Sequence, residues 1–70
     1  MEHWEFIVYV IETYKLAKGM TGVETIELFK KADTFRFIDE CYDALHTYGD
    51  DNIVWNIDEY LNNHLTQTHR

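Results

Sequence analysis

Seventy residues with a net charge of −7 make one domain, and that charge argues against binding the phosphate backbone of nucleic acids, which takes clustered Lys and Arg. A hydrophobic share of 46% suffices for a core, yet one core in a chain this short supplies only about 3–5 kcal/mol, so self-association as a homodimer would be a natural supplement. The single Cys41 excludes an intramolecular disulfide. The chain shows no charged leader with a cleavage site and no apolar run near ~18 residues, and we expect a cytoplasmic chain without membrane contact.

Helix 1 is expected over 2–18. At about 100° per residue, Phe6, Ala17, Val10, Tyr14, Ile7, Ile11, Trp4 and Val8 share one arc of about 200°, wider than an ordinary surface helix presents. A helix so broadly apolar needs neighbours on two sides and reads as the hub of the domain. Lys15 and Lys18 suit the carbonyl end of the dipole, and Gly19 fits the left-handed position just beyond it. The run Ile7 to Ile11 also suits a strand, but the helical composition that follows, with no turn signal before Gly19, favours helix.

Thr21 and Glu24 have the spacing of a capping box, predicting a second helix that ends near Ala32. Val23, Ile26, Leu28, Phe29 and Ala32 form its apolar side. Helix 3 is expected from a cap at Asp33 or Thr34 to Tyr48, with Gly49 as its stop. On it Phe35, Phe37, Ile38, Cys41, Tyr42, Ala44, Leu45 and Tyr48 occupy one half, and Arg36, Asp39, Glu40, Asp43 and Thr47 the other. Helix 4 is expected over 52–64, with Ile53, Val54, Ile57, Tyr60, Leu61 and Leu65 on one face. A short strand over 53–57 followed by a helix from Asp58 is the alternative. Trp55 falls on the polar side, among Asp58, Glu59 and Asn62. The expected architecture is all-α, a compact three- to four-helix bundle around a central N-terminal helix, with a single domain over 1–65 and a frayed polar tail over 66–70.

Chemistry-bearing residues are sparse. Cys41, His46 and Asp50 could be nucleophile, base and orienter, but Cys41 lies on the apolar face and His46 about 140° away around the helix. His3, His46, His64 and His69 form no pair with metal-ligand spacing, and Asp50-Asp51-Asn52 is too short for a calcium loop. A helix-turn-helix reading of helices 2 and 3 would offer Asp39, Glu40 and Asp43 to DNA, which would repel it. We therefore expect no catalytic, metal or cofactor site.

Acidity is concentrated in one half. Residues 33–60 hold eight acids (Asp33, Asp39, Glu40, Asp43, Asp50, Asp51, Asp58, Glu59) against Arg36 alone. Such a surface either keeps the protein soluble or docks a basic partner. An indole on a polar face commonly anchors a contact. Asp39, Glu40, Asp43, Trp55, Asp58 and Glu59 are accordingly the candidate partner-binding residues.

The segments EFIVYVIETYKLAKGMTGVETIELFKK and YDALHTYGDDNIVWNIDEYL resemble a bacterial family, domain of unknown function thirty-seven ninety-one. The likeness covers about 6–61 and rests on the EFIVY start, the MTG capping turn before ELF, and the LHT–GDD–IV–EYL ending. Trp55-Asn56 departs from it, since members more often carry an acidic pair there. The resemblance implies a bacterial, cytoplasmic, non-enzymatic protein, antitoxin-like or accessory to a neighbouring bacterial protein. The functional expectation is a small acidic protein-interaction module whose partner is a protein or a second copy, with no direct nucleic-acid, membrane or small-molecule partner. The alternative is a nucleic-acid mimic that inhibits a DNA-binding protein.

Overall fold

The computed structural model describes residues 2–67. Five helices follow one another: α1 (His3–Lys18), α2 (Gly22–Lys31), α3 (Thr34–Glu40), α4 (Tyr42–Leu45) and α5 (Asp50–Gln67), and the described residues contain no strand. The all-α bundle expected from the periodicity is the fold, and 53–57 is helix.

The local start and stop signals act as their chemistry dictates. The Glu24 amide donates to Thr21 Oγ1 at 3.1 Å while the Thr21 amide donates to Glu24 Oε1 at 2.9 Å, closing the capping box of α2. Gly19, at φ 66°, turns the chain out of α1 in the left-handed conformation that costs glycine no Cβ clash. Among the described residues the other one in that region is Asp33, at φ 56°. An L side chain is disfavoured there, Asp less than most. The turn is pinned from outside by the Tyr60 hydroxyl, which donates to the carbonyls of Ala32 at 2.6 Å and Asp33 at 3.1 Å. Asp33 does occupy the cap position of α3, but its carboxylate takes the Arg36 guanidinium at 2.7 Å in place of a backbone amide.

The single helix expected over 33–48 is broken. Cys41 keeps its amide bond to the Phe37 carbonyl, but at φ −100° and ψ 16° it ends α3, and its own carbonyl opens a new turn by accepting from Ala44 and Leu45. The reason lies in packing. The break carries Tyr42 to the N-terminal half of α1, where its ring meets Phe6 edge-on at 5.3 Å, and leaves Leu45 buried in the core. Beyond α4 the chain runs in tight turns, so Tyr48, expected on the apolar face, stands exposed, as does Ala44. α5 starts at Asp50, two residues earlier than expected, and reaches Gln67; the rest of the expected tail, with His69, lies outside the described residues.

The core is Phe6, Val10 and Tyr14 of α1 against Phe29 and Ala32, Ile38, Leu45, and Ile53, Ile57 and Leu61 of α5. Burying each large side chain contributes about 1.5–3 kcal/mol before conformational entropy is counted. α1 packs on α2, α3 and α5, as a hub must. Its arc is nonetheless wider than its neighbours: Trp4 and Val8 remain 66% and 51% exposed. α1 and α5 run parallel, since Tyr9 meets Asp50 at one end and Tyr14 and Lys18 meet Asp58 at the other. The intervening helices form the crossover.

Candidate partner-binding surface

The acids grouped by the sequence do not share one face. Asp39 accepts from His3 Nδ1 at 2.6 Å, beside the start of α1. Asp58 accepts from the Tyr14 hydroxyl at 2.6 Å and from Lys18 Nζ at 2.8 Å, near its end. His3 and Lys18 lie about 22 Å apart at 1.5 Å per residue, so Asp39 and Asp58 belong to opposite ends of the bundle. Glu40 stands 3.9 Å from Arg36 in a depression it shares with Phe37, Tyr60 and His64. Asp43 projects from α4. Trp55 is 61% exposed on the outer side of α5, with Asp51 and Glu59 one turn before and after it. The side chains of Asp43, Asp51 and Glu59 hold no hydrogen bond or ion pair among the described residues.

What the structure does bring together is a groove between the parallel helices α1 and α5. Tyr9, Glu12, Leu16 and Ala17 of α1 face Asp50, Asp51 and Val54 of α5 across about 360 Å³. The floor is apolar. Leu16 is 77% exposed, the most of any large apolar side chain described, and it lies on the groove. The rim carries Glu12, paired with Lys15 at 2.8 Å, Asp50, held by Tyr9, and the unpaired Asp51, and Trp55 stands just outside it on α5. Of the residues expected at a contact, Trp55, Asp58 and Glu59 lie on the helix that forms this rim; Asp39, Glu40 and Asp43 do not. Leu16, Tyr9 and Glu12 were not among the candidates. Their one sequence signal was that Tyr9 and Leu16, seven residues apart, fall outside the apolar arc of helix 1, on its polar side.

The electrostatics divide the acids by occupation. Asp50 accepts from the Tyr9 hydroxyl, and that bond is the main reason the Tyr9 phenol is raised above its ordinary pKa. Burial, and then the bond to Asp58, push the Tyr14 phenol up as well. Asp33 beside Arg36 holds its guanidinium further into the charged range. These acids serve the fold; Asp51 and Glu59 keep their charge turned to solvent.

The residues weighed for catalysis are engaged elsewhere. His46 stacks on Tyr42 with ring centroids 4.5 Å apart and donates Nδ1–H to the Tyr42 carbonyl at 2.7 Å, while Asp50 is held by Tyr9. Cys41 is half-buried at the α3–α4 break. Among the described residues no three His, Cys, Asp or Glu side chains converge on a point that could hold a metal ion, and no helix is long and apolar enough to cross a membrane.

Fold and surface together define a small all-α domain with an acid-rimmed groove. The chain belongs to the family described as protein of unknown function (DUF3791), whose model matches residues 5–64, nearly the whole bundle. No curated protein and no solved structure matches it.

Proposed function

We propose that the protein is a small acidic protein-interaction module whose α1–α5 groove receives a basic, partly apolar segment of a protein partner, in an accessory or antitoxin-like role. The observation that carries this reading is the exposure of Leu16 in the groove, with the unpaired Asp51 on its rim and the exposed Trp55 one helical turn beyond Asp51. Apolar side chains left open beside carboxylates suit an amphipathic cationic segment, whose apolar face covers Leu16 and Val54 while its cations meet Asp51 and Glu59, Glu12 being already paired with Lys15 at 2.8 Å. The nucleic-acid-mimic reading has less support, because the carboxylates of α3 and α5 lie on separate surfaces and several are already bonded within the chain.

The test uses Trp55 as reporter. In a Trp4→Phe variant its emission should shift to the blue, saturably, with an amphipathic Lys/Leu peptide and not with the Glu/Leu peptide of the same pattern. Leu16→Asp should abolish the shift. An equal response to both peptides, or to neither, defeats the reading.

A second copy is the other occupant favoured by a specific observation. Trp4 and Val8, one turn apart, leave an apolar edge on α1 away from the groove. Sedimentation should show self-association that Trp4→Lys removes; a monomer at every accessible concentration rules it out.

A further inference from the structure

Tyr9 separates the groove from a second, smaller depression. The N-terminal half of α1, the turns after α4 and the first turn of α5 bring Phe6, Tyr9, His46, Tyr48 and Ile53 around about 250 Å³. Three of these five side chains are benzenoid rings and a fourth is an imidazole. The Tyr9 hydroxyl that closes one wall donates to Asp50, and Asp51 follows on the same turn of α5. Both carboxylates sit where the positive end of the α5 dipole would otherwise attract an anion, and offset it. The imidazole is fixed as well: its plane lies within 5° of the Tyr42 ring, and Nδ1–H is committed to the Tyr42 carbonyl. In the neutral ring this leaves Nε2 with its lone pair as the free nitrogen.

Aromatic faces carry negative quadrupole density and attract a cation within about 6 Å of the ring centre. A volume below the roughly 300–1,000 Å³ of sites for drug-sized ligands suits a single side chain better than a nucleotide or cofactor. Tyr48 contributes to the same end. It is left exposed by the early end of α4, at the mouth of a depression whose inner walls are the buried Phe6 and Ile53. Asp50 lies behind Tyr9, outside the lining, where its negative field favours a cation over an anion, and the ring-rich lining adds to that preference.

We propose that this pocket receives one alkylammonium group, the lysine side chain of the segment that lies in the adjoining groove. The assignment rests on the groove reading for its source of lysine, but the pocket's preference for an ammonium can be read without any partner. The probe is n-butylammonium chloride, compared with neutral n-pentanol and with acetate, followed through the ring resonances of Tyr9, Tyr48 and His46. The expected result is a saturable shift with the ammonium alone. Tyr48→Ala, at an exposed position whose loss leaves the fold intact by circular dichroism, should weaken it about tenfold, and Tyr48→Phe should preserve it. Asp50→Asn, which keeps an acceptor for Tyr9 but removes the charge, should weaken it severalfold.

Pentanol binding as well as the ammonium, acetate binding in its place, or no saturable shift each overturns the assignment. Should the Lys/Leu peptide bind the groove while the pocket ignores ammonium, the pocket assignment fails alone. Should the pocket bind ammonium while the groove ignores the peptide, the groove reading fails and the lysine donor with it.

Discussion

The acids of α3 and those of α5 look alike in the sequence and behave differently in the fold. On α3, Asp39 faces the His3 imidazole and Glu40 the Arg36 guanidinium, and Asp33 just ahead of it holds Arg36 more closely. Along α5 the roles alternate. Asp50 and Asp58 accept from phenols of α1 and tie the two parallel helices together, whereas Asp51 and Glu59 point away beside the exposed Trp55. Density of charge therefore does not define a contact surface. What distinguishes the α1–α5 side is that the unpaired Asp51 and Glu59 coincide with uncovered apolar area at Leu16 and Trp55, and a solvated face has no use for that area.

The comparison can be broken most forcefully beneath the groove. Ile57→Ala, at a fully buried position on the α5 seam, should cost about 2–5 kcal/mol and leave little folded protein, as read by urea denaturation. Trp55→Ala should do the reverse: stability within about 0.5 kcal/mol of the parent, but affinity for a basic peptide lowered by about 2 kcal/mol, roughly thirtyfold. If Trp55→Ala unfolds the domain, its exposed position has been misread. Equivalent charge reversal on the other acidic side, Asp39→Lys with Asp43→Lys, should leave that affinity within a factor of about two, since screening weakens charges remote from the groove.

The internal ties give smaller effects. Asp58→Asn loses the Lys18 pair and weakens the acceptor of the Tyr14 hydroxyl, and should cost about 1 kcal/mol, the solvent-exposed ion pair itself contributing little. Asp39→Asn should be nearly silent, because both it and His3 are exposed. Alkaline pH probes the same contrast. The Tyr14 phenol is raised in the folded chain, first by burial and then by Asp58, above the value of about 10 it has unfolded. The fold thus favours the protonated ring. That contribution is fully present below about pH 10 and is lost as pH rises from there through the folded pKa. The urea midpoint of the parent should fall above that pH. Tyr14→Phe should flatten the fall, with Tyr60 and Tyr9, also raised, accounting for what remains.

How much of this was legible in the sequence depended on range. The capping box at Thr21 and Glu24 and the stop at Gly19 are decided by residues within one turn, and both were readable. The break at Cys41 was not, because the apolar period runs through it unbroken; the contact found beside the break, Tyr42 edge-on to Phe6, joins residues thirty-six apart in the chain. The partition of the acids was equally hidden. Nothing local distinguishes Asp58, which is held by Tyr14 and Lys18, from Glu59, which is not. The groove itself depends on α1 and α5 lying parallel, a consequence of the crossover path. Only the misplaced azimuths of Tyr9 and Leu16 hinted at it. Trp55, by contrast, was visible at once, since a tryptophan on the polar side of a helix needs no partner to look out of place.

In the proposed role, the acidic rim of the α1–α5 groove, with Asp51 as its unpaired member, acts together with the exposed apolar side chains on a basic segment. A charge-exchange titration tests it most directly, using Glu12→Lys with Asp51→Lys against the parent and the Lys/Leu and Glu/Leu peptides in calorimetry. The account predicts that the parent binds only the Lys/Leu peptide, and that the reversed groove loses it and gains the Glu/Leu peptide. Retention of the Lys/Leu peptide by the reversed groove, at undiminished affinity, would contradict it.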